Sequence, residues 1–278
     1  MTRETSHAAD HDRPMTLVEH LRELRSRLIK TVLAIAIGMG GGLLIAGRVQ
    51  RYFLDMVARV APEAQVGATT ATEKVTVFFT IALYIGVALA MPVILYQAVR
   101  FLAPGLTRTE RRYVYGLLPG TLLCFAGGVA FALVVAIPQM LGVLLNFGDP
   151  GIRTTPRAAE LLGFCSELAL WSGLAFELPM VMLLCATLNI VPHAVLRRGR
   201  KYAAVGLMIL AAFITPTPDA LSMLVIWAPL YLLFELGLIL TRFARPRGGT
   251  STVALLAGLL LARQLRRERI AAVPALLG

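Results

Sequence analysis

Acidic residues and cysteines are both scarce in this chain. Asp and Glu number 16 among 278 residues, against 27 Lys and Arg, which gives a formal net charge of +11. The three cysteines, Cys124, Cys165 and Cys185, lie inside apolar runs and form neither a CxxC pair nor a zinc-type spacing with histidine. We therefore expect the cysteines to be small packing residues, and we expect no metal site.

Sequence patterns of the common catalytic sites are also missing. The chain has no HExxH, no G-x-S-x-G, no phosphate-binding or dinucleotide-binding glycine motif and no pair of aspartates within an apolar run. His20 and Glu23 share a helix face, but two ligands do not make a metal site. The sequence therefore predicts neither a catalytic residue nor a cofactor, and we expect the protein not to be an enzyme.

Apolar residues dominate what is present. They make up 57% of the chain, the mean hydropathy is +0.73, and several runs approach the ~20 residues that cross a ~30 Å hydrocarbon core as a helix. Basic residues accumulate on the cytoplasmic loops of such proteins. The positive charge therefore indicates orientation in a membrane rather than nucleic-acid binding, and the sequence predicts an all-α, polytopic membrane protein.

Six membrane-spanning helices are predicted, with both termini in the cytoplasm. In this arrangement 21 of the 27 Lys and Arg lie on the side of the termini and 6 on the other, in agreement with the positive-inside rule. The fifth span is expected to be short, with a rise of only ~21 Å as a helix. The predicted spans are 30–48, 78–100, 113–137, 161–187, 202–215 and 221–241.

Three regions are predicted along the chain. Residues 1–15 are polar and are expected to be disordered, residues 16–243 form the six-helix membrane domain, and residues 244–278 form a basic cytoplasmic tail. The first apolar run follows about thirty polar residues and lacks a small-residue cleavage site, so that we expect a retained helix rather than a cleaved signal peptide.

Two carboxylates lie just before apolar runs on the same predicted side of the membrane. Glu23 precedes the first run and Glu110 precedes the third, and each has arginines beside it. Each also has a structural explanation. Glu23 is spaced i,i+4 from Arg27, as in a surface ion pair, and Glu110 completes a capping box that begins at Thr107. The functional alternative is a receptor site for a short cationic peptide.

A third carboxylate, Glu177, lies well inside the fourth apolar run and is followed by Pro179. A charged group near the bilayer centre costs on the order of 2.5–3.5 kcal/mol even on the most lenient scale, so such residues face a bundle interior or a wet cavity. A protonated Glu177 bonded to a carbonyl near the Pro179 break is the structural explanation. The functional alternatives include a proton-coupled secondary transporter.

The segment 16–28, TLVEHLRELRSRL, resembles the N-terminal signature of the TatC family, the receptor subunit of the twin-arginine protein translocase. Further similar motifs follow in the family's order and extend the resemblance to about residues 16–243. They are PVILYQ at 92–97, FLAPGL at 101–106, ERR at 110–112, FELP at 176–179, Thr215-Pro216 with Asp219, and LFELG at 233–237.

This resemblance implies a function and a set of site residues. A TatC-like protein binds the twin-arginine signal peptides of folded export cargo at the cytoplasmic face and nucleates a translocase driven by the proton gradient. The residues similar to the family's arginine-binding carboxylates are Glu23 and Glu110. Those that match positions around the same site are Arg25, Phe101, Pro104 and Arg112.

The resemblance also implies partners. Glu177 matches the polar residue of a concave membrane face beside the short fifth helix. The region of Thr215, Asp219 and Met223 matches the docking site of single-span TatA and TatB type subunits, and self-association is expected. Two departures fall in this region: the external turn TPTPD has one residue more than the family's TPPD, and Met223 is apolar where some relatives are polar.

Overall fold

The computed structural model describes residues 17–102, 108–146, 155–187, 191, 193–215 and 220–243. Within these ranges the chain is helical apart from short connections and one isolated β-bridge, which confirms the predicted all-α fold class. The helices are α1 (Leu17–Val60), α2 (Ala71–Leu102), α3 (Arg108–Phe131), α4 (Ile137–Asn146), α5 (Ala158–Phe176), α6 (Leu178–Thr187), α7 (His193–Arg198), α8 (Arg200–Ile214) and α9 (Ala220–Phe243).

Five helical segments of the described chain are long and apolar enough to cross a membrane. They are Val18–Val60, Ala71–Phe101, Val114–Asn146, Ala158–Thr187 and Ser222–Arg242. Helix α8 has 15 residues and rises only ~22 Å, less than the ~30 Å hydrocarbon core. The expected short helix is therefore present, and the count of six spans stays a prediction.

Helix α1 extends well beyond its predicted span in both directions. It runs for 44 residues without interruption. The connection between the first two predicted spans, residues 49–77, is therefore helical over its first twelve residues, in α1, and over its last seven, in α2. This part of α1 stays helical because it is amphipathic. Phe53 and Val57 are buried in the core, whereas Arg51 and Arg59 are exposed on the opposite face.

Helices α1 and α2 form the most extensive helix pair of the bundle. Three glycines allow their backbones to touch. Gly38 and Gly42 of α1 face the carbonyl oxygens of Gly86 and Ala82 on α2, and Gly86 faces the backbone of Met39. Small residues that let two backbones approach closely are the usual basis of helix association in membranes, where the hydrophobic effect adds little.

The third and fourth apolar runs are each interrupted. A π-helical turn, Ala132–Ala136, joins α3 to α4, and the fourth run is divided into α5 and α6 at Glu177. Pro179 explains the second break, because proline has no N–H for the carbonyl four residues earlier. At the break, the Glu177 N–H bonds the carbonyl of Leu174, three residues earlier, at 3.1 Å. The break that the sequence predicts at Pro179 is confirmed.

Helix α5 lies at the centre of the bundle, with contacts to α1, α2, α3 and α9. On one side of it is an apolar cleft that extends towards α8 and α9. Its lining includes Phe131, Leu168, Trp171, Phe176, Ile214 and Leu230. Ile214, the last residue of the short α8, lines one edge of this cleft, and the concave bundle face stays a prediction.

Glu73, in the first turn of α2, forms hydrogen bonds to two chain segments at one end of the bundle. We call this end the Glu73 end. Its carboxylate accepts hydrogen bonds from the backbone N–H of Thr69 (2.6 Å) and from that of Ala159 (3.0 Å), 86 residues away at the start of α5. Gly67 and Arg157 form the β-bridge beside it. Glu73 thus satisfies free N–H groups at the N-termini of two helices, a role usually filled by a local cap.

Glu73→Gln is expected to lower the melting temperature of the detergent-purified protein by a few degrees. Glutamine keeps the length of the side chain but offers a single acceptor oxygen, so one of the two N–H groups loses its partner. Glu63→Gln is the matched control, since Glu63 is exposed in the connection between α1 and α2. Equal melting temperatures for the two variants would show that the hydrogen bonds of Glu73 do not stabilise the protein.

Candidate functional site

Glu23 lies at the opposite end of the bundle, here called the Glu23 end, where α1 begins and α2 finishes. Its Oε1 accepts two hydrogen bonds from the guanidinium of Arg27, one turn further along α1, through Nε at 3.1 Å and through Nη2. Arg27 also donates through Nη1 to Gln97 Oε1 of α2, at 3.2 Å. The i,i+4 ion pair suggested by the spacing is therefore present, and its arginine is also hydrogen-bonded to a second helix.

The Glu23–Arg27 pair is largely shielded from solvent. The side chain of Arg27 is 12% exposed and that of Glu23 is 17% exposed. The second carboxylate oxygen, Glu23 Oε2, is buried and has no hydrogen-bond partner among the described residues. A charged oxygen without a donor is unfavourable, so this carboxylate has unused capacity to bind a cation.

An open groove of about 420 Å³ lies over this pair, a far larger space than one water molecule fills. It is bordered by α1 and by the end of α2. Its lining is mostly charged and consists of Glu19, Arg22, Glu23, Ser26, Arg27, Lys30 and Arg100. We call this set the N-terminal groove.

An aromatic contact holds the two helices together beside the N-terminal groove. The His20 ring of α1 stacks on the Phe101 ring of α2, with centroids 4.4 Å apart and planes inclined by 22°. Neither His20 nor Gln97 was given a functional role by the sequence, although both lie within the motifs quoted above. Gln97 lies 70 residues from Arg27 along the chain. This distance explains why local sequence patterns do not reveal their contact.

The other residues predicted around this site differ in how fully they are described. Phe101 is half-buried, and Arg25 and Arg112 are exposed. Glu110 lies in the first turn of α3, and its side chain lies outside the described part of the structure, as does the whole of Pro104. The structure therefore brings Glu23 and Phe101 to one end of the bundle, and the participation of Glu110 stays a prediction.

Glu177 occupies a separate position, at the junction of α5 and α6. It is 6% exposed, and neither carboxylate oxygen has a hydrogen-bond partner among the described residues. The structural explanation that required a hydrogen bond from Glu177 to a carbonyl therefore receives no support from the described contacts.

The predicted docking region lies at the end of α8 and the start of α9. Thr215 is buried, and its Oγ1 donates to the carbonyl of Ala212 at 3.4 Å. Met223 is half-buried in α9, and Asp219 lies outside the described residues. Nearby on α8, Phe213 is 85% exposed, so apolar surface is available beside this region.

No cluster of three or more His, Cys, Asp or Glu side chains that could hold a metal ion occurs within the described ranges. The ionisable side chains at the Glu23 end are instead arranged as ion pairs and as the lining of the N-terminal groove. Such an arrangement is suited to recognition of a charged ligand by hydrogen bonds.

Comparison with known proteins decides the family. The sequence model of the family described as Sec-independent protein translocase protein (TatC) matches residues 19–229. The chain belongs to the TatC family. It is 35% identical over 238 residues to the TatC protein of Carboxydothermus hydrogenoformans, covering 85% of this chain and 96% of that protein. With the TatC protein of Deinococcus radiodurans it shares 37% identity over 235 residues, covering 82% and 86%.

Two solved TatC structures share the fold. Both are described as crystal structures of the twin-arginine translocase receptor TatC. One has a TM-score of 0.71 and 31% identity and covers 81% of this chain and 99% of its own. The other, in the detergent DDM, has a TM-score of 0.73 and 33% identity and covers 80% and 99%. As a TatC-family protein with several helices able to cross a membrane, the chain is a multi-pass membrane protein of protein transport.

Proposed function

We propose that this TatC-family protein is the receptor subunit that binds twin-arginine signal peptides of folded cargo and nucleates the export complex. The observation that carries the proposal is the Glu23 carboxylate. It lies at the edge of the N-terminal groove, is mostly shielded from solvent and has one oxygen without a hydrogen-bond donor among the described residues. The second carboxylate of the proposed site is Glu110.

The chemistry of arginine fits two such carboxylates. A guanidinium donates two parallel N–H bonds to a carboxylate, whereas a lysine ammonium has no such fork. An exposed ion pair contributes only ~0–1 kcal/mol, but a shielded hydrogen bond to a charged group contributes about 1.5–3 kcal/mol. Each arginine is therefore expected to add about tenfold or more to affinity, since ~1.4 kcal/mol corresponds to a factor of ten.

The orientation of the protein follows from its charges. Most Lys and Arg lie on the side of the Glu23 end under the predicted topology, and the positive-inside rule assigns that side to the cytoplasm. We therefore assign the Glu23 end, both termini and the N-terminal groove to the cytoplasmic face of the inner membrane, where signal peptides of folded proteins are available. The Glu73 end then faces outward.

Partner subunits belong to the same proposal. The exposed apolar surface near Phe213, together with Thr215 and Met223, is a suitable docking region for the single-span helices of TatA and TatB type subunits, because two apolar helices pack through such surfaces. Asp219 belongs to the same region. We also expect copies of this chain to associate, and we assign to the proton gradient the energy for export.

The proposal is tested by measuring how tightly the detergent-purified chain binds a twin-arginine signal peptide and the same peptide with two lysines. The unmodified protein is expected to prefer the arginine peptide by at least tenfold. Glu23→Gln and Glu110→Gln are each expected to weaken binding about tenfold, and the double variant is expected to lose the preference. The amide removes the charge and one acceptor and keeps the size of the side chain.

Glu160→Gln is the matched control for this experiment. Glu160 is an exposed acid at the Glu73 end, paired with Arg157 at 3.7 Å, so the same change of charge there is expected to leave peptide binding unchanged. A double Glu23→Gln/Glu110→Gln variant that keeps full affinity and selectivity would exclude these carboxylates as the arginine site.

A second function, proton-coupled secondary transport through Glu177, has one observation in its favour. Glu177 is buried in a membrane-spanning segment without a hydrogen-bond partner among the described residues, and such acids form proton relays in transporters. Proton-linked uptake of a small solute by vesicles that contain this chain alone would favour transport over the receptor role.

A further inference from the structure

The Glu23 carboxylate already holds a guanidinium. Both hydrogen bonds from Arg27 go to a single oxygen, Oε1, and the other oxygen, Oε2, is buried with no donor among the described residues. A fork-to-fork pair uses both oxygens of the carboxylate. The Glu23–Arg27 pair is therefore an incomplete version of the contact that an incoming arginine would make.

Arg27 also occupies one oxygen of the carboxylate. Both Arg27 hydrogen bonds end on Oε1, and only 17% of the Glu23 side chain is exposed, so a ligand in the N-terminal groove can take that oxygen only if the guanidinium of Arg27 moves away. The two residues are one helical turn apart, so a change of side-chain rotamer is sufficient and no movement of the backbone is required.

Gln97 is a second hydrogen-bond acceptor for Arg27, and it remains available after Arg27 leaves Glu23. Its Oε1 accepts from Arg27 Nη1 at 3.2 Å, and it belongs to α2 rather than to α1. This bond does not involve the carboxylate. A guanidinium that releases Glu23 therefore keeps one hydrogen bond and stays near the interface of the two helices.

We propose that Arg27 is an internal occupant of the Glu23 carboxylate, which a ligand arginine must displace, and that this competition determines how strongly the site prefers arginine to lysine. The inference rests on the proposed receptor function. A ligand guanidinium replaces the two hydrogen bonds of Arg27 and also reaches Oε2. A ligand ammonium lacks the fork that spans both oxygens, so it displaces Arg27 less effectively.

Removal of the internal guanidinium should therefore help both ligands and help lysine more. In Arg27→Gln we expect the twin-arginine peptide to bind about threefold tighter and the twin-lysine peptide at least tenfold tighter, so that the preference for arginine falls by at least threefold. Isothermal titration on the detergent-purified full-length chain at low salt measures both affinities, since salt screens such contacts.

Arg198→Gln is the control for the general effect of charge. Arg198 is exposed on α7 and is not part of the lining of the N-terminal groove, and its change removes the same single positive charge. We expect it to leave both affinities and the preference unchanged. Arg27→Lys keeps the charge and loses the fork. We expect it to lower the preference in part, and it serves as the test variant if Arg27→Gln does not fold.

The outcomes separate the inference from the function on which it rests. If Arg27→Gln and Arg27→Lys bind the twin-arginine peptide no more tightly than the unmodified chain, and binding still requires Glu23, Arg27 is a fixed part of the binding site and the inference is overturned while the receptor role stands. If the unmodified chain shows no preference for arginine, or its preference is insensitive to Glu23→Gln, the proposed site and the inference both fail.

Discussion

Gly86→Val is expected to abolish the packing of α1 on α2 and to remove most of the folded protein from detergent extracts. A Cβ atom at Gly86 would lie 2.6 Å from the Cα and from the N of Met39. Both are backbone atoms of α1, so they cannot move aside as a flexible side chain would. The backbones of α1 and α2 must instead move apart at Gly86 and Met39.

The cost of this separation is large. Overpacking of a well-packed core usually costs 1–3 kcal/mol, and here we expect at least ~3 kcal/mol because the clash is with backbone. Gly38 and Gly42 of α1 face α2 in the same way, so separation at Gly86 also opens their contacts. That loss is a large part of the ~5–15 kcal/mol by which proteins are typically stable.

Gly40→Val is the matched control for Gly86→Val. Gly40 lies on α1 between the two contact glycines, and no atom lies within 4 Å of its ideal Cβ position. The same substitution is therefore expected to leave yield and melting temperature close to those of the unmodified protein. Melting temperatures of the two variants within a degree or two of each other would show that α1 and α2 do not depend on this close approach.

Glu177→Leu is expected to stabilise the protein and to stop export. The acid is 6% exposed, with neither oxygen bonded among the described residues, and an unsatisfied buried polar group costs about 1–3 kcal/mol. Leucine removes that cost and fills a similar volume. We expect the melting temperature in detergent to rise and export of a twin-arginine cargo in cells to fall at least tenfold, with binding of the signal peptide retained.

Glu235→Leu provides the contrast for Glu177→Leu. Glu235 of α9 accepts from Arg200 Nη2 at 2.7 Å and from the Tyr231 hydroxyl at 3.2 Å. The same change there leaves a cation without its partner, which is destabilising, so the melting temperature is expected to fall. A lower melting temperature for both variants would show that Glu177 is held by favourable contacts and is not a strained acid retained for function.

The sequence predicts the elements that depend on local chemistry. Apolar runs indicate the helices, Pro179 indicates the division of the fourth run, and the spacing of Glu23 and Arg27 indicates their ion pair. Each of these follows from residues within one or two turns of each other. The all-α class and the short α8 were predictable for the same reason.

The errors and omissions have equally physical causes. Arg48 and Arg51 interrupt the apolar run of α1, and the predicted span ends at residue 48, although the helix continues because one of its faces packs in the core. The contacts of Gln97 with Arg27 and of Glu73 with Ala159 join residues 70 and 86 positions apart. No local pattern encodes such pairs, because they depend on how the helices pack.

The 44 residues of α1 make a rod of ~66 Å at 1.5 Å per residue, more than twice the thickness of the hydrocarbon core. Gly38 lies at the midpoint of this rod and contacts the backbone of α2, so a rigid tilt of α1 would pivot near that contact. A tilt of about 5° about that point moves each tip by about 3 Å over this length, in opposite directions. Because α1 is continuous from Glu23 to Phe53, a tilt of this helix would displace residues at both ends of the bundle at once.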